Sequence, residues 1–330
     1  MQIVLLPRLV PEVLEIAERC CPEGCRLHVV DPRDGDEALI AALAEADVVM
    51  GFVGALPDAA WAAARRLRLV QLLSAGYDAF PLDVARSRRL PVATNGGANA
   101  VAVAEHVVML VLALYRRLID FVGATRQGAW PSGLQHGLRL HELQGKTVGI
   151  VGFGRIGREV ARRLRAFDVE LLYFDVVRAS PAEEAELQSV FAPLDDLLRR
   201  ADVVTLHLPL TPATRHFLDA RRLAMMKPSA LLVNAARGGL VDEVALARAL
   251  SEGRLLGAGL DTLEQEPPPP DHPLLRMPNV VVTPHTAGPT WESWEKRFQN
   301  AFANVRRVAR GEAPLWVVPE LHDLVGPSSP

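Results

Sequence analysis

Two doubly wound, Rossmann-like α/β domains with parallel sheets and a cleft between them are what this sequence predicts, on three observations. Short β-rich runs alternate with Ala-, Leu- and Arg-rich helical stretches along nearly the whole chain, the signature of βαβ units. A turn-rich break at Asn95-Gly96-Gly97-Ala98-Asn99 divides that alternation into two series. The 330 residues, 49 % of them hydrophobic, suffice for two packed cores.

In the first series the expected strands are Ile3 to Leu6, Leu27 to Val30, Val48 to Val53 and Leu69 to Leu73. Helical stretches lie between them at Glu12 to Glu18, Asp36 to Ala44 and Trp61 to Leu67. After the break a single long apolar helix is expected from about Ala100 through Arg126. Its richest stretch, Val107 to Tyr115, is roughly half a membrane span and is bracketed by Glu105-His106 and Arg116-Arg117, so it reads as a buried helix. Because it is apolar on more than one face, a neighbouring sheet cannot cover all of it, and a homodimer contact through residues 100–126 is expected.

A linker at Trp130-Pro131-Ser132-Gly133 precedes the second series, which runs from Thr147 to about Pro284. Six strands are expected there: Val148 to Val151, Leu171 to Phe174, Val203 to Leu206, Leu231 to Val233, Gly257 to Leu260 and Val280 to Val282. A final helix, about Glu292 to Arg310, is too long for a βα repeat and is expected to return to the first domain. The domains then comprise residues 1–98 plus 288–330, discontinuous, and residues 99–287. The tail ends Pro327-Ser328-Ser329-Pro330, and Pro267 to Pro270 reads as a stiff local bend.

A net charge of −3 with 23 % charged residues gives no basic field for nucleic acid or an anionic membrane, so a small-molecule partner is expected. The start, Met1-Gln2-Ile3-Val4-Leu5-Leu6-Pro7, runs into an apolar strand without the pattern of an export signal. Cys20, Cys21 and Cys25 crowd one connection, an odd count without paired histidines. They suit packing or free thiols in the cytoplasm rather than a disulfide framework or a metal site.

The chemistry starts at Gly152-Phe153-Gly154-Arg155-Ile156-Gly157, a G-x-G-x-x-G turn set between a strand and a helix. Gly152 permits the tight turn and Gly154 lets backbone approach a pyrophosphate. Gly157 lets helix pack close to strand, with the helix N-terminus facing the negative charge. Asp175, eighteen residues past Gly157 at a strand end, can accept both ribose hydroxyls and repel a 2′-phosphate. NAD is therefore expected in preference to NADP, with Arg178 near enough to soften the choice.

Several segments then resemble, in order, the D-isomer-specific 2-hydroxyacid dehydrogenases. They are Ser74-Ala75-Gly76-Tyr77-Asp78, Asn99 with Val103-Ala104-Glu105-His106, Gly152 to Gly157, and His207-Leu208-Pro209-Leu210-Thr211. Val233-Asn234-Ala235-Ala236-Arg237-Gly238, Asp261 leading to Glu266-Pro267, and Thr283-Pro284-His285 complete the set. The resemblance covers essentially the whole chain. It implies an NAD-dependent oxidoreductase with substrate (catalytic) and NAD-binding domains, acting on a small 2-keto or 2-hydroxy acid. It also implies that Val103, Arg155, Ile156, His207, Pro209, Thr214, Ala235 and Ala236 line the cofactor, with Asp261 accepting from the nicotinamide carboxamide.

The family's arginine, carboxylate and histidine map onto Arg237, Glu266 and His285. A guanidinium offers a keto acid a planar, two-pronged donor that also polarises the carbonyl. Histidine, with an ordinary pKa of about 6.5, is suited to deliver a proton near neutral pH, and a carboxylate beside it fixes its orientation. The related formate dehydrogenases carry a glutamine where Glu266 stands. The remaining histidines, including His136, His141, His216 and His272, read as surface or turn residues.

Ser74-Ala75-Gly76 is expected to form a tight loop whose N–H groups hold the substrate carboxylate from the side opposite Arg237. No lysine or arginine occupies Gln71 through Asp78, and Ala75 stands where phosphite-oxidising relatives carry a lysine. Glyoxylate and hydroxypyruvate are therefore the favoured acids, with Trp130, Trp291 and Trp294 as candidate pocket walls. The competing expectations are a phosphoglycerate dehydrogenase-like enzyme, which usually carries a further regulatory domain, and a non-enzymatic NAD-sensing corepressor.

Overall fold

The computed structural model describes residues 1–131 and 139–325. The chain forms two compact units, Met1–Asn99 with Pro289–Pro330, and Ala100–Gly288. Residues Ser132, Gly133 and His136 and the tail from Pro327 lie outside the described residues.

The first unit holds strands β1 (Gln2–Leu6), β2 (Arg26–Val29), β3 (Val48–Gly51), β4 (Leu69–Leu72) and β5 (Val92–Ala93), in the order β2-β1-β3-β4-β5. All neighbours pair in parallel, with Leu6 opposite Gly51 and Gly51 opposite Leu72. Strand β5 escapes sequence reading because two residues carry no periodicity. The expected third helix runs Asp58–Ala63, ending before Leu67.

The expected return of the final helix is observed: Trp291–Ala309 packs Phe298, Phe302 and Val305 against Ile3, Leu5 and Val48. A buried amide pair ties it to the sheet, Asn304 Nδ2 donating to Gln71 Oε1 at 2.8 Å. Asn304 Oδ1 in turn accepts from Leu315 N at 2.7 Å. Thr290 caps the helix start in a reciprocal box with Ser293.

The second unit holds β6 (Thr147–Val151), β7 (Glu170–Phe174), β8 (Ser189–Phe191), β9 (Val203–Leu206), β10 (Leu231–Asn234), β11 (Gly257–Leu260) and β12 (Val280–Val282), in the order β12-β11-β10-β9-β6-β7-β8. Seven parallel strands stand where six are expected. The extra one, β8, is a three-residue edge strand with Val190 exposed, too short to announce itself. The central strands β9, β10 and β11 are buried along their whole length, as a parallel sheet covered on both faces requires.

The long helix expected over 100–126 is two helices, Ala100–Tyr115 and Leu118–Arg126. Arg117 between them adopts a left-handed conformation (φ 48°), which closes the first helix, and its guanidinium caps the turn by pairing with Asp120 at 2.7 Å. Ala100–Tyr115 buries most of its apolar side chains within its own unit. The exposed apolar residues are Met109 and, on the second helix, Leu118, Ile119 and Val122. Among the described residues no helix is long and apolar enough to cross a membrane.

Candidate active site

Register places the site. In the second unit Val151 lies opposite both Phe174 and Leu206, Leu206 opposite Asn234, Asn234 opposite Leu260, and Leu260 opposite Val282. Five neighbouring strands and β12 thus end at one level. The residues just beyond them are Gly152, Asp175, His207, Ala235, Asp261 and the segment to His285, nearly all picked from sequence. This carboxyl edge, with β6 between β7 and β9 at the reversal of strand order, is where α/β sheets hold ligands.

The glycine turn is closed to side chains at Gly152 and Gly157 and open at Gly154. Gly152 sits at φ +94°, and a Cβ there would lie 2.7 Å from the His207 backbone. A Cβ on Gly157 would lie 2.2 Å from Gly152 O, so helix Arg155–Leu164 can approach β6 this closely only as glycine. At Gly154 a Cβ would meet nothing within 4 Å, leaving open space at the helix start, where the N–H groups around Arg155 and Ile156 lack intrahelical partners. These features fit a dinucleotide pyrophosphate. Asp175 is held at the turn, its Oδ2 accepting from Phe153 N at 2.6 Å.

The other expected cofactor residues surround this edge. His207 follows β9 with Nε2 bonded to Thr205 Oγ1 at 3.0 Å, while its Nδ1 is buried without a partner. Burial pushes its pKa down to about 3, so the ring is neutral at pH 7. Thr214 closes the loop by donating from Oγ1 to Pro209 O at 2.7 Å. Ala235 and Ala236 follow β10, and Asn234 shapes that turn, accepting from Ala236 N at 3.1 Å and donating to Arg237 O at 2.8 Å. Val103, 4 % exposed, is part of the apolar core rather than a polar contact.

His285 and Glu266 meet: Nδ1 lies 2.7 Å from Glu266 Oε2, and both side chains are partly exposed. The other carboxylate oxygen accepts from Leu263 N at 3.0 Å, which fixes Glu266 in its loop. Arg237 Nη1 donates to Ala236 O at 2.8 Å, holding the guanidinium near the end of β10. His285 itself is left-handed (φ 54°), a conformation that costs a non-glycine residue about 1 kcal/mol and must be held from outside.

Asp261 holds it. Its carboxylate, 1 % exposed, accepts from Thr286 N (2.9 Å), Ala287 N (2.9 Å) and Thr283 Oγ1 (2.6 Å), while His285 N donates to Asp261 O at 2.8 Å. His106 completes the cluster, Nε2 lying 2.9 Å from Thr283 Oγ1 and 3.5 Å from Asp261. Burial pushes the His106 pKa down against the pull of Asp261. Sequence reading gave Asp261 to the nicotinamide and His106 and Thr283 only to the resemblance. Their joint hold on the His285 loop was missed, since its partners are up to 177 residues apart in sequence.

Of the remaining histidines, His272 is a turn residue, its N donating to Pro269 O at 3.0 Å, and its Nε2 lies 3.0 Å from Glu243. His216 pairs with Glu264 at 2.9 Å, and His141 packs on the Tyr115 ring. In the first unit, the expected loop Ser74-Ala75-Gly76 follows β4 and is closed by Ser74 Oγ donating to Gly76 O at 2.6 Å, with Asn95 N donating to Ser74 O at 3.0 Å. Trp294 packs edge-on against Phe52 and stacks on Phe298, a packing role, whereas Trp130 and Trp291 are exposed.

A family model described as "D-isomer specific 2-hydroxyacid dehydrogenase, NAD binding domain" matches residues 108–287. The glyoxylate reductase of Thermofilum pendens is 38 % identical over 317 residues, 94 % of this chain and 92 % of that protein. The D-3-phosphoglycerate dehydrogenase of Mycobacterium bovis is 40 % identical over 308 residues, 91 % of this chain but 57 % of that protein. Among solved structures, D-lactate dehydrogenase with NAD+ from Lactobacillus jensenii superposes with a TM-score of 0.80 at 29 % identity, over 96 % of this chain and 99 % of that one.

Proposed function

We infer the reaction from one premise: the chain belongs to the D-isomer-specific 2-hydroxyacid dehydrogenases and is an NAD-dependent oxidoreductase. Its preferred substrate is a small unphosphorylated 2-keto acid, glyoxylate or hydroxypyruvate first, reduced to the D-2-hydroxy acid. The observation that carries the mechanism is the 2.7 Å pairing of His285 Nδ1 with Glu266.

A carboxylate only accepts, so Nδ1 carries the proton of that bond and Nε2 is left to serve the substrate. His285 delivers the Nε2 proton to the carbonyl oxygen during reduction. Glu266 keeps the ring oriented through that bond. Arg237 binds the substrate carboxylate and polarises the carbonyl. The bound cofactor supplies the hydride. Gly152, Gly154, Arg155, Ile156 and Gly157 hold its pyrophosphate and Asp175 its ribose, with His207, Pro209, Thr214, Ala235 and Ala236 along the same edge and Val103 behind it. Asp261 orders the His285 loop and would accept from the nicotinamide carboxamide.

Support for glyoxylate comes from the Thermofilum pendens relative, which matches nearly end to end, and from the absence of a cation in Gln71 through Asp78. The Mycobacterium bovis relative favours phosphohydroxypyruvate as the second reading. NADH oxidation against glyoxylate, hydroxypyruvate, pyruvate, phenylpyruvate, 2-ketoisocaproate and 3-phosphohydroxypyruvate, repeated with NADPH, separates them. A winner among the unphosphorylated acids is expected. Preference for the phosphorylated acid reverses the assignment, and silence with NADH still bound points to a sensor.

The protein is proposed to act as a homodimer through its helices over 100–126. Supporting this are exposed Leu118, Ile119 and Val122, beside a recess of about 630 Å3 lined by Leu114, Ile119 and Leu275 among others. Light scattering at micromolar concentration should give twice the chain mass. A cytoplasmic setting goes with it, since Cys20, Cys21 and Cys25 are free thiols.

A further inference from the structure

An acid at the end of β7 excludes a 2′-phosphate only if no nearby cation welcomes one, and Arg178 stands three residues beyond Asp175. The stretch between them is bare, Val176 and Val177 being 90 % and 75 % exposed. From sequence, Arg178 is thus the residue that would blunt the preference for NAD.

The structure gives Arg178 other work. Its Nε and Nη2 donate to Glu184 Oε1 and Oε2 at 2.8 and 3.0 Å, a two-pronged pair that engages one whole edge of the guanidinium. The guanidinium also lies over the Phe191 ring, 5.5 Å from its centroid. Glu184 is in turn fixed from beneath: the hydroxyl of fully buried Tyr173 donates to Oε1 at 2.6 Å and accepts from Ala179 N at 3.0 Å. Glu184 is only 16 % exposed, whereas Arg178 is 64 % exposed. The two donors hold the Glu184 carboxyl down at about 2, so the lock is charged throughout the working range of pH.

We propose that Glu184 is a specificity-determining positioning residue: by holding Arg178 against Phe191 and Tyr173, it withholds the one cation on this loop from a cofactor 2′-phosphate and lets Asp175 set the preference for NADH. This rests on the reading of Asp175 as the ribose-binding acid. Nothing in the chemistry of Arg178 itself prevents phosphate binding, since a guanidinium pairs with phosphate as readily as with carboxylate. What decides is the competing partner already in place.

The test is equilibrium binding of NADH, NADPH, 5′-AMP and 2′,5′-ADP to the whole protein by calorimetry, which needs no turnover. Glu184→Gln keeps the shape and Tyr173's partner while removing the charge. It is expected to improve NADPH affinity relative to NADH by about threefold to fivefold, the scale of a partly exposed ion pair, and more in an Asp175→Ser background. Adding Arg178→Ala should erase the gain, whereas Arg178→Ala alone should leave the NADPH to NADH ratio of the parent unchanged.

An unaltered ratio in a folded Glu184→Gln protein that still binds NADH overturns the proposal. So does a gain that survives loss of Arg178, or a loss of NADPH affinity in Arg178→Ala alone, which would show the cation already serving the phosphate. Failure of the parent protein to bind either dinucleotide would instead overturn the cofactor reading beneath it.

Discussion

The two sheets begin alike and diverge at their first turn. In each, the first strand in chain order pairs in parallel with its neighbours and feeds a helix. In the first unit Leu6 leads through Pro7, Arg8, Leu9 and Val10 to a helix whose opening residue is Pro11, which removes a donor at the helix start. In the second, Val151 passes through Gly152, Phe153 and Gly154 straight into Arg155, leaving the helix N–H groups at the strand edge. The first unit's Gly51 is tighter still, a Cβ there lying 1.7 Å from Leu6 O, yet it serves the close pairing of β3 with β1. Architecture is shared; the anion cradle belongs to the turn.

Substitutions can break that contrast, and the largest effect is expected at the proton donor. His285→Ala should lower kcat about 10²-fold or more with NADH affinity nearly intact, since a general acid is lost while the cradle stays. Stopped-flow turnover with separate NADH titration measures both; unchanged kcat would remove His285 from the chemistry.

Arg237→Ala should lower kcat/KM for the keto acid by about 10- to 100-fold, the scale of a charge-assisted bidentate contact, again sparing NADH. Gly157→Ala forces a Cβ against Gly152 O. It should weaken NADH by about tenfold, as strain of about 1–3 kcal/mol requires, whereas Arg8→Ala in the first unit's turn should leave NADH affinity unchanged. Fluorescence titration of the two variants side by side tests the contrast between turns directly.

Acid stability gives the smallest effect. Glu184 is depressed from 4.5 to about 2 chiefly by its bond from Arg178, so its contribution is fully present above about pH 4.5 and is lost as pH falls through about 2. Glu184→Gln should lower the melting temperature slightly at pH 7 to 8, where the charged pair is intact, and the difference from the parent should vanish as pH falls through about 2. An unchanged acid limb would show that the pair adds nothing to folding.

Much of the site was legible because each residue sits in a local pattern: the glycine turn, Asp175 at a strand end, and Arg237, Glu266 and His285 within short motifs. Strand-end register then gathers Gly152, Asp175, His207, Ala235 and Asp261 at one edge. What failed locally were short or non-periodic features, namely β5, β8 and the break at Arg117, where neighbours in space rather than along the chain choose the conformation.

The sequence by itself determined the α/β alternation and the glycine turn, since these rest on residue type and spacing of a few positions, while Glu266 and His285 were singled out by the family resemblance. Only tertiary structure decided that Asp261, Thr283 and His106 hold the His285 loop. It also decided that Glu184 with Tyr173 and Phe191 takes Arg178 out of play. A buried carboxylate accepts whichever donors folding brings to it, and those donors lie on other strands and loops, at separations no local pattern records.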